Sequence, residues 1–202
     1  MSAGWPVTLR EGRVALRPIS RSDREAWTHV RSQNRSWLAP WEATPPRDLG
    51  PPVSFTTMVR TLRTQARRGQ LLPFVVTYDG ELVGQLTVGG ITYGSLCSAH
   101  VGYWVDSRVA GRGVMPTAVA LAVDHCFTVL RLHRVEVNIR PENAASLRVV
   151  EKLGFREEGL RKAFLHIDGA WRDHRSFALT AEEVPGGLVA RWRAAQSGSE
   201  RG

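Results

Sequence analysis

Cysteine is scarce in this chain of 202 residues, in which Cys97 and Cys126 stand 29 positions apart without a C-x-x-C pair. Such a sequence lacks the framework of a small disulfide-stabilised secreted domain. No group of His, Cys, Asp and Glu has the spacing of zinc ligands. We therefore expect two buried free thiols, with a single disulfide as the alternative, and no metal.

Long hydrophobic runs are also missing. No segment approaches the roughly 18 consecutive apolar residues of a membrane span, and the first residues lack the basic and apolar regions of a secretory signal. Apolar residues make up 43% and charged residues 23% of the chain, an ordinary globular composition. These features predict a single domain over residues 1–202, in the cytoplasm and without a membrane contact, with a disordered tail over about 194–202.

Lysine is rare, because Lys152 and Lys162 are the only two lysines among 27 basic residues. The net charge is +8, and it is unevenly distributed: the first 70 residues hold twelve arginines against five acidic residues. Such a basic N-terminal third favours anionic surroundings such as RNA or an acidic protein, and it repels polycationic small molecules.

Hydrophobic periodicity predicts two helices after a first strand, then three antiparallel strands, a helix, a strand, a helix and a final hairpin. The predicted strands are 13–19, 72–78, 81–93, 96–106, 133–140, 155–167 and 171–179, and the predicted helices are 22–34, 54–69, 116–130 and 143–153. Ser22 and Glu25 have the spacing of a capping box for the first helix. An antiparallel meander followed by a β-α-β crossover predicts a mixed sheet in an α+β domain.

The segment R-V-A-G-R-G, residues Arg108–Gly113, lies between a predicted strand and a predicted helix. Such a turn presents free backbone N–H groups and the positive end of the helix dipole. Gly111 and Gly113 allow close approach of an anion, and Arg108 and Arg112 add charge. No G-K-[ST] follows, so the loop differs from a Walker A loop. It predicts a phosphate or pyrophosphate cradle, with a glycine-rich turn carrying two solvated arginines as the alternative.

Further motifs accompany this loop in a fixed order. They are Asn34–Trp41, Gly102–Trp104, Asn143–Ser146, Val150–Phe155 and Asp168–His174. Together with the glycine loop they resemble the GNAT superfamily of N-acetyltransferases, and within it the RimJ/RimL-like branch that acetylates the N-terminal alanine of ribosomal proteins. The similarity covers about residues 10–180.

The resemblance implies a GNAT fold, with a mixed, mostly antiparallel central sheet of about seven strands that is split by a V-shaped cofactor cleft and flanked by helices. It implies acetyl-CoA as the cofactor, coenzyme A as the product, and no metal. The implied cofactor-binding residues are Tyr103, Trp104, Val105, Arg108, Val109, Gly111, Arg112, Gly113, Val114, Met115, Pro116, Thr117, Asn138, Asn143 and Ser146. For Asn143, a helix N-cap is an additional role.

The reaction that the resemblance implies is direct attack of a neutral amine on the thioester. Ser146 stands where a proton donor to the thiolate is proposed, with an exposed first-turn residue as the alternative. His100 stands where many relatives carry a glutamate base; it is alternatively a sheet residue, and Glu136 is the rival base. An α-amino group has a reference pKa of about 7.7–8.0, which leaves a neutral fraction at physiological pH and favours an α-amine acceptor.

The resemblance also implies an acceptor groove lined by Trp37, Leu38 and Trp41, with Asp168 available for the acceptor ammonium. The alternatives are core tryptophans and a simple turn. The leading hypothesis is acetylation of the N-terminus of a ribosomal protein that begins with alanine, by a monomer or homodimer. Acetylation of an aminoglycoside or polyamine is one alternative. A non-catalytic coenzyme A-binding module, with a ribosome or RNA contact through the basic N-terminal third, is another.

Overall fold

The computed structural model describes residues 4–47, 50 and 53–199. The strands are β1 Leu9–Glu11, β2 Val14–Pro18, β3 Leu72–Tyr78, β4 Glu81–Thr92, β5 Ser98–Val105, β6 Arg134–Ile139, β7 Arg156–Ile167 and β8 Ala170–Thr180. The helices are α1 Arg24–Gln33, α2 Arg35–Leu38, α3 Phe55–Arg67, α4 Val114–Thr128, α5 Ala144–Leu153 and α6 Leu188–Ser199. All eight strands form one sheet in the order β1-β2-β3-β4-β5-β6-β8-β7.

The predicted α+β class and mixed, mostly antiparallel sheet are confirmed, because β5 and β6 are parallel and every other neighbouring pair is antiparallel. The sheet has eight strands, whereas about seven were predicted. The additional strand is β1, which pairs with β2 from Leu9 opposite Leu16 to Glu11 opposite Val14. Three residues are too few to carry a strand periodicity of their own, so this strand depends on its partner.

The tail predicted to be disordered from about residue 194 is helical as far as Ser199, and residues 200–202 lie outside the described residues. Helix α6 is held by side chains at its start. Leu188 and Trp192 are buried in the main core, and the Trp192 indole N–H donates to Thr117 Oγ1 at 2.9 Å. Tertiary packing therefore orders a segment whose own sequence has little helical signal.

The capping box lies two residues earlier than predicted. It joins Ser20 to Asp23, not Ser22 to Glu25, and the Ser20 N–H donates to the Asp23 carboxylate at 2.7 Å. Arg17 donates to both oxygens of the same carboxylate, at 2.7 and 3.0 Å. Burial raises the pKa of Asp23, but the hydrogen bonds from Arg17 and Ser20 outweigh this effect and hold the pKa below its usual value. Asp23 can be buried and form the capping box because Arg17 compensates the charge of its carboxylate.

Helices cover both faces of the sheet. Helices α4, α5 and α6 pack on one face and enclose the larger core, around Phe74, Val119 and Leu179. Helices α1 and α3 pack on the other face around a smaller core that contains Val59 and Val75. We call these the α4 face and the α3 face of the sheet. No helix within the described residues is both long and apolar enough to cross a membrane.

The sheet splits between β5 and β6. The two strands pair only where Ser98–His100 faces Arg134–Glu136, and beyond this point each continues without pairing to the other. The β4–β5 ladder is irregular at the same level, between Gly89 and Thr92. The predicted V-shaped opening is therefore present, and it lies at the carboxyl end of two parallel strands.

Both cysteines are free, as predicted. Cys126 is buried in α4, and burial raises the pKa of its thiol to about 12, so it stays protonated. Cys97 is only half-buried, contrary to the prediction, and its thiol donates to the carbonyl of Arg131 at 3.3 Å.

Candidate active site

A cleft of about 300 Å³ lies where β5 and β6 part, and we call it the central cleft. Its walls are the end of β5, the loop before α4, the first turns of α4 and α5, and the α2 segment. Its lining residues are Trp37, Leu38, Trp41, Tyr103, Trp104, Val105, Val109, Ala110, Gly111, Gly113, Val114, Met115, Pro116, Asn143, Ala145, Ser146, Arg148, Val149 and Lys152. Most of the residues predicted to contact a cofactor or acceptor therefore meet in one place.

The loop before α4 presents free backbone donors to this cleft. Gly111 and Gly113 have φ angles of 82° and 78°, in the left-handed region that favours glycine, and Gly113 is the N-cap of α4. Within the described residues, no hydrogen bond is formed by the N–H groups of Gly111, Gly113, Val114 and Met115. Four free donors at the positive end of a 15-residue helix make a binding site for an anion.

Two other predicted members of this loop have their N–H groups occupied. The Arg112 N–H donates to the carbonyl of Val109 at 3.3 Å, and the Thr117 N–H donates to the carbonyl of Gly113 at 3.1 Å. The side chains of Arg112 and Thr117 do not line the central cleft. Thr117 instead accepts the indole hydrogen bond that holds α6.

Arg108 is held away from the cleft by a buried carboxylate. Its Nε and Nη2 donate to Asp106 Oδ2 at 2.9 and 2.5 Å, and its backbone N–H donates to Asp106 Oδ1 at 3.0 Å. Asp106 is 1% exposed. Burial raises the pKa of Asp106, but the Arg108 hydrogen bonds outweigh this and hold it below its usual value. Arg108 therefore neutralises an internal charge, which distinguishes it from the free main-chain donors beside it.

Arg148 and Lys152 also line the cleft, although neither is among the residues predicted to bind the cofactor or the acceptor. They lie four residues apart on α5, and both side chains are exposed. A helical projection that starts from Ala145 could have found them, because Arg148 and Lys152 follow it by three and seven residues and share its side of the helix.

Ser146 lies in the first turn of α5, where Asn143 fixes the backbone. The Asn143 side-chain oxygen accepts the Ser146 N–H at 3.1 Å, so Asn143 is the N-cap of the helix. The Tyr103 hydroxyl is buried beside Ser146 and makes no hydrogen bond of normal geometry within the described residues. Burial raises the pKa of Tyr103, and the neighbouring Ser146 opposes only part of the rise. At neutral pH Tyr103 is therefore a proton-bearing donor.

The end of β5 turns backbone groups toward the split. The Asp106 N–H donates to the carbonyl of Val83, on the β4 side, at 2.7 Å. Because backbone groups alternate in direction along a strand, the N–H and carbonyl of Val105 point away from β4, toward the split. The carbonyl of Val105 indeed accepts the Trp37 indole N–H, at 3.1 Å. By the same alternation, the backbone groups of Tyr103 face the cleft.

A second cavity, of about 450 Å³, adjoins the central cleft on the α3 face, and we call it the adjoining chamber. Its lining residues are Arg31, Leu38, Trp41, Glu42, Ala43, Gln85, Thr87, Gly102, Tyr103 and Trp104. Leu38, Trp41, Tyr103 and Trp104 belong to both cavities, so the split in the sheet connects them.

The charges of the adjoining chamber balance each other. Glu42 forms an ion pair with Arg31. The Arg31 guanidinium lies over the rings of Trp27 and Trp104, at 5.3 and 5.2 Å from their centroids. Burial lowers the pKa of Arg31, but an arginine remains charged at neutral pH. Of the described residues, one acidic and one basic residue line the chamber, and they neutralise each other.

The residues predicted for acid–base chemistry other than Ser146 lie outside both cavities. His100 packs on the irregular part of β4, where a Cβ at Gly90 would come within 2.8 Å of its ring, and partial burial lowers its pKa. Glu136 accepts hydrogen bonds from Arg134 and Arg161, each at 2.8 Å.

Two predicted binding residues also lie elsewhere. The Asn138 side chain accepts a hydrogen bond from the Ser176 hydroxyl at 2.7 Å. Asp168 forms the β7–β8 turn with a φ of 48°. Neither lines the central cleft or the adjoining chamber. No group of metal-ligating side chains occurs in the described part of the chain.

Comparison with known proteins agrees with this geometry. Residues 13–156 match the family model described as "Acetyltransferase (GNAT) domain". The structure is similar to that of Mycobacterium smegmatis RimJ in complex with CoA-disulfide, with a TM-score of 0.90, 45% identity, and coverage of 97% of this chain and 98% of that one.

Curated relatives have several acceptors. The uS5-alanine N-acetyltransferase of Escherichia coli is 29% identical, over 89% of this chain and 94% of its own. The spermidine N(1)-acetyltransferase of the same organism is 28% identical, over 79% and 82%. The predicted GNAT membership and likeness to RimJ are confirmed. The chain belongs to the GNAT family and is an acetyl-CoA-dependent N-acetyltransferase.

Proposed function

We propose that this enzyme acetylates the N-terminal α-amino group of a protein, and that its substrate is a ribosomal protein that begins with alanine. Such an enzyme works in the cytoplasm, where ribosomal proteins are made. The proposal is supported by the likeness to RimJ and to the uS5-alanine enzyme, and above all by the charge balance of the adjoining chamber.

Acetyl-CoA fits the central cleft by its chemistry. The four free N–H groups of Gly111, Gly113, Val114 and Met115 bind the diphosphate, and Arg148 and Lys152 add positive charge at the rim. The backbone groups of Tyr103 that face the split bind the amides of the pantetheine arm, as an added strand would. When bound, acetyl-CoA supplies the acetyl group as an activated thioester.

The hydroxyl pair of Ser146, in the first turn of α5, and Tyr103, on β5, would stabilise the thiolate that leaves when the C–S bond breaks. This thiolate takes up one proton, and the nitrogen of the new amide bond gives one up. Ser146 donates a hydrogen bond toward the sulfur, which stabilises the negative charge that develops there. Tyr103 remains protonated because burial raises its pKa, so its hydroxyl can donate to Ser146 in turn. This arrangement gives the buried Tyr103 hydroxyl the partner that it lacks within the described residues.

The acceptor amine needs little help in losing its proton. The reference pKa of an α-amino group is about 7.7–8.0, and the hydrophobic walls supplied by Trp41 and Trp104 favour its neutral form. Glu136 is occupied by two arginines and lies outside the chamber, so the structure gives no support to its role as base. The same holds for His100, which faces the irregular part of β4.

The adjoining chamber, on the side of the split opposite α4, receives the acceptor. Among the described residues that line it, the one carboxylate, Glu42, is already paired with Arg31, so these residues carry no net charge. A polyamine or an aminoglycoside carries several positive charges and requires unpaired carboxylates. A peptide N-terminus carries one amine and fits a neutral chamber.

A panel of acceptors tests the proposal, with thiol release from acetyl-CoA as the readout. We expect the highest kcat/KM with a short peptide that begins with alanine. The matched control is the same peptide with its N-terminus blocked and an internal lysine left free, which should give at most background release. Turnover that is faster with spermidine or an aminoglycoside than with every peptide would refute the choice of acceptor.

A further inference from the structure

The α3 face of the sheet carries a group of arginines that the proposed reaction does not use. Arg60, Arg63 and Arg67 lie on α3, and Arg21 lies beside them just before α1. With Val59 and Thr64 they line a shallow cavity of about 350 Å³. We call these four side chains the arginine face.

Its four guanidinium groups are exposed and form no ion pair with any acidic residue in the described part of the chain. The arginines of β6–β8 differ in this respect. Arg134, for example, pairs with Glu136 and Glu158, and Arg175 pairs with Glu157. A local excess of unpaired positive charge therefore exists on one side of the molecule.

The spacing of this group suits a phosphate backbone. At a rise of about 1.5 Å per residue, Arg60, Arg63 and Arg67 are spread over roughly 10 Å along one side of α3. Arginine binds phosphate through two parallel N–H donors and keeps its charge at every physiological pH. A row of such groups can contact successive phosphates of one strand.

The described residues that line this cavity lack what a protein or a membrane would require. The one apolar residue that lines the cavity, Val59, is 0% exposed and belongs to the smaller core. A protein interface needs apolar or aromatic anchors at its centre, and a membrane-binding helix needs apolar side chains to insert. The arginine face offers charge alone.

We infer that the arginine face binds the phosphate backbone of RNA, without sequence specificity. It lies on the same side of the sheet as the adjoining chamber, where the acceptor enters. RNA bound there would keep the enzyme close to a ribosomal protein that is already associated with RNA; this consequence rests on the proposed function, whereas the binding itself does not.

The test measures binding of a short fluorescent single-stranded RNA by the intact protein at several salt concentrations. Four arginines that each neutralise one phosphate predict a slope of log K against log salt of about −3. The variant R60Q/R63Q/R67Q should lose about two units of this slope. The control R10Q/R47Q/R131Q makes the same change in net charge at exposed arginines elsewhere and should keep the slope.

Two further measurements keep the outcome clear. Peptide acetylation by R60Q/R63Q/R67Q should equal that of the unchanged protein, and if this variant fails to fold, R63Q alone should reduce the slope by about 0.7. Equal slopes for the two triple variants would overturn the inference. So would binding of polyaspartate as tight as that of RNA. Failure of RNA binding leaves peptide acetylation untouched, so the two proposals fail separately.

Discussion

Two regions of this molecule present donors that suit phosphate, and they do so by different means. In the central cleft the donors are main-chain N–H groups of Gly111, Gly113, Val114 and Met115, fixed by the start of α4. On the arginine face they are the ends of four flexible, exposed side chains. Fixed donors demand one geometry of the ligand, whereas mobile guanidinium groups accept any arrangement of phosphates.

The difference has a consequence for selectivity. Main-chain N–H groups keep their positions when side chains are substituted, unless the backbone itself changes. The cleft is therefore selective for one kind of anion. The arginine face depends on Coulomb attraction between exposed charges, which salt screens with a Debye length of about 8 Å at physiological ionic strength. Substitutions at the main-chain donors of the glycine loop should therefore weaken cofactor binding and leave RNA binding unchanged. Substitutions on the arginine face should alter RNA binding and its salt dependence, and leave cofactor binding unchanged.

Gly111→Asp should give the largest effect. A side chain at a φ of 82° strains the loop, and a carboxylate there repels the diphosphate. We expect the affinity for acetyl-CoA to fall by more than about 100-fold, since both a fixed donor geometry and a charge are disturbed. Calorimetric titration with acetyl-CoA measures this change.

The control for this variant is Gly94→Asp, at an exposed turn where φ is also positive and open space surrounds the residue. It carries the same strain and charge but lies far from α4 in the sequence, so cofactor affinity should stay unchanged. RNA affinity should differ little between the two variants. A wild-type affinity of Gly111→Asp for acetyl-CoA would show that the loop does not bind the diphosphate.

Ser146→Ala should have the next largest effect, on the rate rather than on binding. Removing a hydroxyl that stabilises the leaving thiolate should lower kcat by about 10- to 100-fold. The Asn143 cap bonds the backbone of Ser146, so α5 and the cleft stay in place. Steady-state kinetics should find KM for acetyl-CoA within about twofold of its original value, and an unchanged kcat would exclude a chemical role for Ser146.

Tyr103→Phe tests the other hydroxyl of the pair. Its hydroxyl is buried without a partner of normal geometry in the described residues, so its removal should not lower the melting temperature. If Tyr103 donates to Ser146 during turnover, kcat should fall by about tenfold, less than in Ser146→Ala. A normal kcat would mean that the buried hydroxyl has no part in the reaction.

The glycine loop could be predicted from the sequence because its signals are local. A strand end, two glycines and a helix start stand next to each other, and the backbone conformation that they require is the one found at Gly111 and Gly113. The N-cap role of Asn143 is local in the same way. Such features depend on a few neighbouring residues and little on the rest of the fold.

Features that depend on distant residues could not be predicted in this way. Helix α6 is ordered by the burial of Trp192, whose partner Thr117 lies 75 positions away. The adjoining chamber is neutral because Arg31 is held between Trp27 and Trp104 and reaches Glu42. No periodicity or motif contains these distances, so neither Glu42 nor Arg31 could be recognised as a site residue from the sequence.

Arg108→Gln should have the smallest effect on cofactor binding, although Arg108 belongs to the glycine loop motif. Its guanidinium is bonded to Asp106 and does not line the cleft, so acetyl-CoA affinity should change by less than about twofold. Arg112→Gln, with the same change in charge and no ion-pair partner among the described residues, is the matched control. A large loss of affinity for Arg108→Gln alone would mean that the cleft needs a side-chain charge there.

The effect of Arg108→Gln should instead be seen in the dependence of stability on pH. A carboxylate whose pKa is lowered by folding stabilises the protein above its unfolded pKa of about 3.9, and this stabilisation is lost as the pH falls through the lower folded value. Without the Arg108 side chain, burial raises the pKa of Asp106 against fewer hydrogen bonds, those of the backbone N–H of residue 108 and of Asn34, so the loss begins at a higher pH. Melting temperatures measured from neutral to acidic pH should decline earlier for Arg108→Gln than for Arg112→Gln. Coincident curves would mean that backbone contacts stabilise the buried carboxylate of Asp106. The Arg108 side chain would then contribute as little to its charge as the unpaired arginines on α3.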